Sequence, residues 1–125
     1  MRVSGIDHVN ISTQDVEASA RFYADVLDLD PQIAAGGRMT PEQGRWLFDH
    51  EGQAIIHLRK FEADGFSTGP IDHVALKCSG MENMVARLKA RGIDHRVNNM
   101  QFAGLKQIFV TDPHGISLEL NFTGE

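Results

Sequence analysis

Several residue types are scarce in this chain, and each shortage closes off a class of protein. A single cysteine, Cys78, among 125 residues excludes an intrachain disulfide and any zinc site built on paired cysteines, and it fits a reducing, cytoplasmic setting. Basic residues are the minority. The 12 Lys and Arg face 17 Asp and Glu, a net charge of −5, so there is no cationic stripe to neutralise the phosphates of a nucleic acid. No apolar run approaches the ~18 residues of a membrane span. The residues before Asp7 contain no signal-peptide core. Gly-rich phosphate loops are absent as well. Gly65-Phe-Ser-Thr-Gly69 has the spacing of a nucleophile elbow but runs into Pro70 instead of a helix, so the catalytic context is missing. The chain has one Tyr and one Trp but six histidines: His8, His50, His57, His73, His95 and His114. That excess asks for an explanation.

The explanation starts from an internal repeat. Gly5-Ile-Asp-His8-Val-Asn-Ile returns as Pro70-Ile-Asp-His73-Val-Ala-Leu. Behind the first copy Val16, Ala20, Tyr23 and Leu27 follow a helical period, and behind the second Met81, Val85 and Leu88 do so. Ser79-Gly-Met-Glu82 reads as a capping box, and Gly92 stands where that helix should stop. Each copy closes on a strand, an Asp-x-x-Gly turn and another strand, with turns at Asp49–Gly52 and Asp112–Gly115. One further strand fits near 30–34 and another near 94–99. The pattern predicts an α+β protein of two βαβββ modules, the first over about 1–63 and the second over 71–125, joined by a linker at 64–70. A unit of about 60 residues buries little apolar surface alone, so the copies are expected to share a sheet or a barrel-like cleft, within one chain or across a dimer.

Strand alternation then sorts the histidines. Val9 and Ile11, like Val74 and Leu76, belong to a face suited to packing under a helix, while His8 and Asn10 and their counterparts His73 and Ala75 take the other face. His57 alternates with Ile56 and Leu58, and Glu119 with Leu118 and Leu120. A single strand histidine is commonly just a hydrogen-bonded polar residue. Ligand-type residues at equivalent places of a duplicated unit make His8, His73 and Glu119 candidates for a divalent metal, with His57 as the fourth. Asn10, Trp46, Arg59, Gln107 and Phe109, on the same strands or adjoining loops, are the candidate substrate-contacting residues. Segments 36–44 and 98–106 are read as mobile edges of the cleft. His50, His95 and His114 fall in expected turns and should be solvated, and Cys78 should be a buried structural thiol.

The frame Ile6-Asp-His-Val, Ile71-Asp-His-Val and Asp112-Pro-His-Gly-Ile-Ser-Leu-Glu119-Leu resembles the vicinal oxygen chelate superfamily of glyoxalases, bleomycin-resistance proteins and extradiol dioxygenases. The resemblance covers essentially the whole chain. It implies a glyoxalase-like fold in which paired modules form an incomplete, U-shaped barrel around a divalent metal (Zn, Ni, Co, Mn or Fe(II)), with His8, His57, His73 and Glu119 as ligands. It also implies homodimers, often with sites built from both subunits, and a small-molecule substrate.

Differences within the family shape the expected activity. Glyoxalase I carries Glu at the place of His57, and its glutathione clamp uses Arg and Asn where this chain has Ser12 and Phe61. Extradiol dioxygenases resemble the order of His8, His73 and Glu119 and place an acid–base histidine at His57, but their further His and Tyr correspond to Met100 and Phe109. The leading expectation is a metal-dependent, glyoxalase-like lyase or isomerase acting on a small substrate that chelates the metal through adjacent oxygens. His57 serves there either as a ligand or as the acid–base group. The alternatives are an Fe(II) extradiol-type dioxygenase and a metal-free, bleomycin-resistance-like binding protein.

Overall fold

A computed structural model describes residues 1–33, 39–62, 69–100 and 104–125. Residues 34–38, which include the start of the first edge segment, residues 63–68 with most of the linker and the elbow-like motif, and residues 101–103 lie outside them. The chain forms two compact units, Met1–Gly65 and Phe66–Glu125. Each is a βαβββ module with one four-stranded mixed sheet and one helix.

In the first unit the elements run β1 (Val9–Thr13), α1 (Val16–Leu27), β2 (Asp30–Gln32), β3 (Gly44–Phe48) and β4 (Ala54–Lys60). The sheet order is β1-β4-β3-β2, with β1 and β4 parallel and the other pairs antiparallel. The parallel pair follows from the crossover, because α1 carries the chain back over the sheet before β4 is laid down. Helix α1 begins where Asp15 accepts from the Ala18 amide at 3.0 Å, satisfying one of the donors that a helix start leaves open. It stops at Asp28, whose left-handed backbone (φ 57°) ends the helical hydrogen-bond ladder. Its buried stripe is Val16, Ser19, Ala20, Tyr23 and Val26. Leu27, expected in that stripe, is only half-buried, and Leu29 just beyond the helix is buried in its place. The left-handed turn at Asp28 redirects the chain so that the next apolar residue faces inward. These side chains close over Ile11, Leu47, Ile56 and Leu58 to form the core of the unit.

The second unit repeats the plan as β5 (Val74–Cys78), α2 (Met81–Ala90), β6 (His95–Met100), β7 (Leu105–Thr111) and β8 (Ser117–Thr123), in the order β5-β8-β7-β6. Ile108, Val110, Leu118, Leu120 and Phe122 are its buried apolar strand residues. Its helix differs from expectation. Leu88 is the one residue of α2 that is fully buried, while Met81 and Val85 are half-exposed. Nor does Ser79 cap it. The N-cap is Gly80, in a left-handed conformation (φ 80°) with no side chain to offer. The donors are met by Glu125, whose carboxylate accepts from the Gly80 and Met81 amides at 2.9 Å each. The end at Gly92 (φ 64°) follows the left-handed pattern that glycine favours.

The two hairpin turns match. Asp49 Oδ1 accepts from the Glu51 and Gln53 amides at 3.0 and 2.9 Å. Asp112 Oδ1 accepts from those of His114 and Ile116 at 2.8 and 2.9 Å. The expected mobile edge at 98–106 is corrected by the pairing, since Asn98–Met100 and Leu105–Lys106 are ladder residues of β6 and β7. His95 begins β6, half-buried with Nδ1 against the Ile93 carbonyl at 2.8 Å, and His114 is half-buried, so neither is simply solvated. Cys78 is half-buried instead of buried.

Candidate functional site

Cross-strand register places one row of side chains across the open face of each sheet. In the first unit the row is Asn10, His57, Trp46 and Gln32, and His8 precedes Asn10 by two residues. Trp46 is the hub. Its indole stacks flat on the His57 ring (centroids 4.1 Å apart, planes 4° apart), and the His8 ring meets it edge-on at 4.9 Å. His8 Nδ1 is 2.6 Å from Asp7 Oδ2, and His57 Nδ1 is 3.3 Å from Asn10 Nδ2. His57 Nε2 is buried and has no hydrogen-bond partner among the described residues. Desolvation, with the nearby Arg59 and His8 charges, holds the His57 pKa below the ordinary histidine value, so the ring is neutral at neutral pH. With Asn10 Nδ2 donating to Nδ1, the neutral ring carries its proton on Nε2. Turning the Asn10 amide over lets Oδ1 accept from Nδ1–H and leaves Nε2 with a free lone pair.

In the second unit the row is Ala75, Glu119, Phe109 and Arg96, with His73 two residues before Ala75. His73 Nε2 lies 3.1 Å from Glu119 Oε2 and its Nδ1 lies 2.9 Å from Asp72 Oδ2. The Asp72 hydrogen bond raises the His73 pKa most, desolvation opposes it, and the Glu119 and Asp72 charges add further, smaller rises. Glu119, with 14% of its side chain exposed, also accepts from Gln107 Nε2 at 2.6 Å. Gln107 is fixed in turn by Asn98 Nδ2 donating to its Oε1 at 3.0 Å and by its own Nε2 donating to Asn121 Oδ1 at 3.1 Å. The cost of burying the carboxylate is thus offset by two partners. Phe109 helps line a cleft of about 540 Å³ beside His73.

The structure therefore joins His73 to Glu119 through a direct contact, and His8 to His57 through the ring of Trp46. Among the described residues, neither unit gathers three His, Cys, Asp or Glu side chains as a metal would need. The donor types still fit a divalent metal. Two rings have Nδ1 beside a carboxylate, as outer partners of metal-bound histidines do, and a third has an orphaned, buried Nε2. Of the candidate contact residues, Asn10 and Trp46 touch His57, Gln107 holds Glu119, and Arg59 is exposed two residues along β4 from His57 on the same face. Sequence reasoning did not single out Asp7 and Asp72 as positioning groups, although the repeated Asp-His pair was the available signal. Asn98, which fixes Gln107 from the neighbouring strand, left no such signal.

The profile of the Glyoxalase/Bleomycin resistance protein/Dioxygenase superfamily matches residues 5–120. The chain belongs to this superfamily. Among similar proteins, "Glyoxylase I 4" of Arabidopsis thaliana is 28% identical over an alignment covering 96% of this chain and 71% of that protein. Two solved structures share the superfamily fold. A glyoxalase/dioxygenase from Nostoc punctiforme superposes with a TM-score of 0.78 at 17% identity, covering 98% of this chain and 92% of its own. A lactoylglutathione lyase from Agrobacterium tumefaciens gives 0.70 at 18% identity, covering 98% and 96%.

Proposed function

We propose that this superfamily member is a divalent-metal-dependent lyase or isomerase of the glyoxalase kind, acting on a small molecule that presents adjacent oxygens. The proposed ligands are His8, His57, His73 and Glu119, with Zn, Ni, Co, Mn or Fe(II) as the candidate metals. The observation that carries this reading is the buried Nε2 of His57, which has no hydrogen-bond partner among the described residues. A protein does not ordinarily leave such an atom without a partner, and a neutral imidazole nitrogen is a preferred donor to these metals. When bound, such a metal supplies a Lewis acid that polarises the substrate oxygens.

The chain's own residues prepare that role. Asp7 and Asp72 orient the His8 and His73 rings through Nδ1, which leaves the opposite nitrogen, Nε2, to serve as the donor. Asn10 controls which nitrogen of His57 carries the proton, and Trp46 clamps the ring in plane. Gln107 holds Oε1 of Glu119 and leaves Oε2 toward His73.

The experiment is elemental analysis of protein purified without chelators, followed by titration with Ni²⁺ or Zn²⁺ while monitoring the fluorescence of Trp46, the single tryptophan. Stoichiometric uptake with a change in Trp46 emission is expected, and uptake should be lost in His73→Ala and Glu119→Ala. No metal bound and none taken up overturns the reading, and full uptake by either variant overturns the ligand assignment.

We also propose that the protein is a cytoplasmic homodimer. The repeat-equivalent Ile6 and Ile71 are 86% and 65% exposed and are available to such an interface. Light scattering at twice the chain mass is the expected result.

A further inference from the structure

The two cross-strand rows differ at one end, and the difference is a charge. In the first unit the row ends at Gln32, whose amide donates to Asp30 Oδ2 at 2.7 Å. In the second it ends at Arg96. The Arg96 guanidinium lies over the Phe109 ring, 4.2 Å from its centroid. Phe109 is the register partner of Glu119, so the guanidinium is folded back along the row toward the strand of Glu119, although the residue itself stays exposed. Among the described residues no carboxylate is within ion-pair distance of it. Asp72 is held by His73, and Asp94, which lines the same cleft, makes no ion pair with Arg96. Stacking engages the flat face of a guanidinium and leaves its in-plane N–H donors unspent. Those donors form the rigid fork that matches a flat carboxylate through two parallel hydrogen bonds. The cleft of about 540 Å³ has His73, Arg96, Phe109, Thr111 and Ser117 among its lining, which leaves room for a small organic molecule beside the fork.

We propose that Arg96, stacked on Phe109, receives a carboxylate of the substrate and makes the protein selective for small organic acids. Adjacent strands lie roughly 4.8 Å apart, so a guanidinium folded over Phe109, the register partner of Glu119, holds the carboxylate about one strand spacing from the strand carrying the proposed metal ligand. The inference deepens the proposed function and rests on it only for the claim that the bound anion is a substrate.

The test compares benzoate with benzamide, which share a shape and differ in charge, by following the Arg96 side-chain and Phe109 backbone N–H signals in NMR titrations. Benzoate is expected to give saturable shifts at both signals and benzamide none. Arg96→Gln, on an exposed position of an edge strand, should fold normally, keep the metal uptake of the parent and weaken benzoate binding at least ~10-fold, the loss expected for hydrogen bonds to a charged group. Arg96→Lys should recover part of the affinity, since it keeps the charge without the planar fork. Equal binding of benzoate and benzamide, unchanged benzoate binding in Arg96→Gln, or tighter binding of inorganic phosphate than of benzoate would each overturn the proposal. Benzoate binding in a protein that takes up no metal would uphold the anion site and overturn the metal-dependent function instead.

Discussion

At the residue scale, the repeated turn aspartates show how burial changes the weight of one interaction. Asp49 and Asp112 each accept two backbone amides through one carboxylate oxygen, but Asp112 is buried and Asp49 is half-exposed. Water can replace the lost acceptor at the first and not at the second. Asp112→Ala should therefore cost roughly 2–3 kcal/mol in chemical denaturation, and Asp49→Ala distinctly less. Cys78 offers a pH readout. Desolvation pushes its thiol up to about 11 from 9.0, so below both values the folded protein holds about a hundredfold less thiolate than an exposed cysteine. A thiol reagent at pH 8 should label native Cys78 slowly, speed up as pH rises toward 11, and label the denatured chain at the ordinary rate. Gln107 is a third residue with a role larger than its type suggests. Replacing it with Ala frees Glu119, and metal affinity should fall roughly 10–100-fold, as when other outer partners of ligands are lost, as isothermal titration can measure.

At the scale of elements, the two helices contrast in how much of them was legible. Helix α1 announces itself locally. Asp15 lies immediately before the apolar period, and its carboxylate reaches the Ala18 amide, so Asp15→Ala should cost about 1 kcal/mol in thermal or urea unfolding. Helix α2 misleads. Ser79 and Glu82 have the spacing of a capping box, yet the amides at its start are taken by Glu125, 45 residues away from Gly80. A contact of that separation has no signature in the local pattern. Native-state hydrogen exchange should show this difference. Glu125→Ala is expected to speed exchange at the first turn of α2, and Ser79→Ala to leave it unchanged. The strands were the most readable elements, because alternation of apolar and polar residues is imposed by a sheet with one covered face. The short β2 and β6 also fell where a further strand was expected, near 30–34 and 94–99. The extension of the β6–β7 pairing into 98–106 was harder, since polar residues such as Asn98 and Asn99 alternate weakly and read as loop.

At the scale of the whole molecule, the superfamily fold is a duplication, and metal binding is the property that tests what the duplication is for. A ligand that binds only the folded chain stabilises it, by about 2.7 kcal/mol at a hundredfold excess over the dissociation constant. Adding Ni²⁺ or Zn²⁺ should therefore raise the melting temperature of the parent protein and leave that of His73→Ala unchanged, with EDTA reversing the gain in a calorimetric scan. Equal shifts in parent and variant would place the stabilising metal away from the proposed ligands.

Sequence alone determined the duplicated βαβββ plan and the superfamily, because repeat spacing and alternation are local properties written in residue order. It also predicted that His8, His57, His73 and Glu119 belong to open sheet faces. Tertiary structure decided what those side chains meet: the flat stack of Trp46 on His57, the buried and unpartnered Nε2, the Asn98–Gln107–Glu119 chain and the guanidinium folded over Phe109. Each depends on which residue of one strand faces which residue of the next. That register arises from packing the whole sheet, not from any single segment.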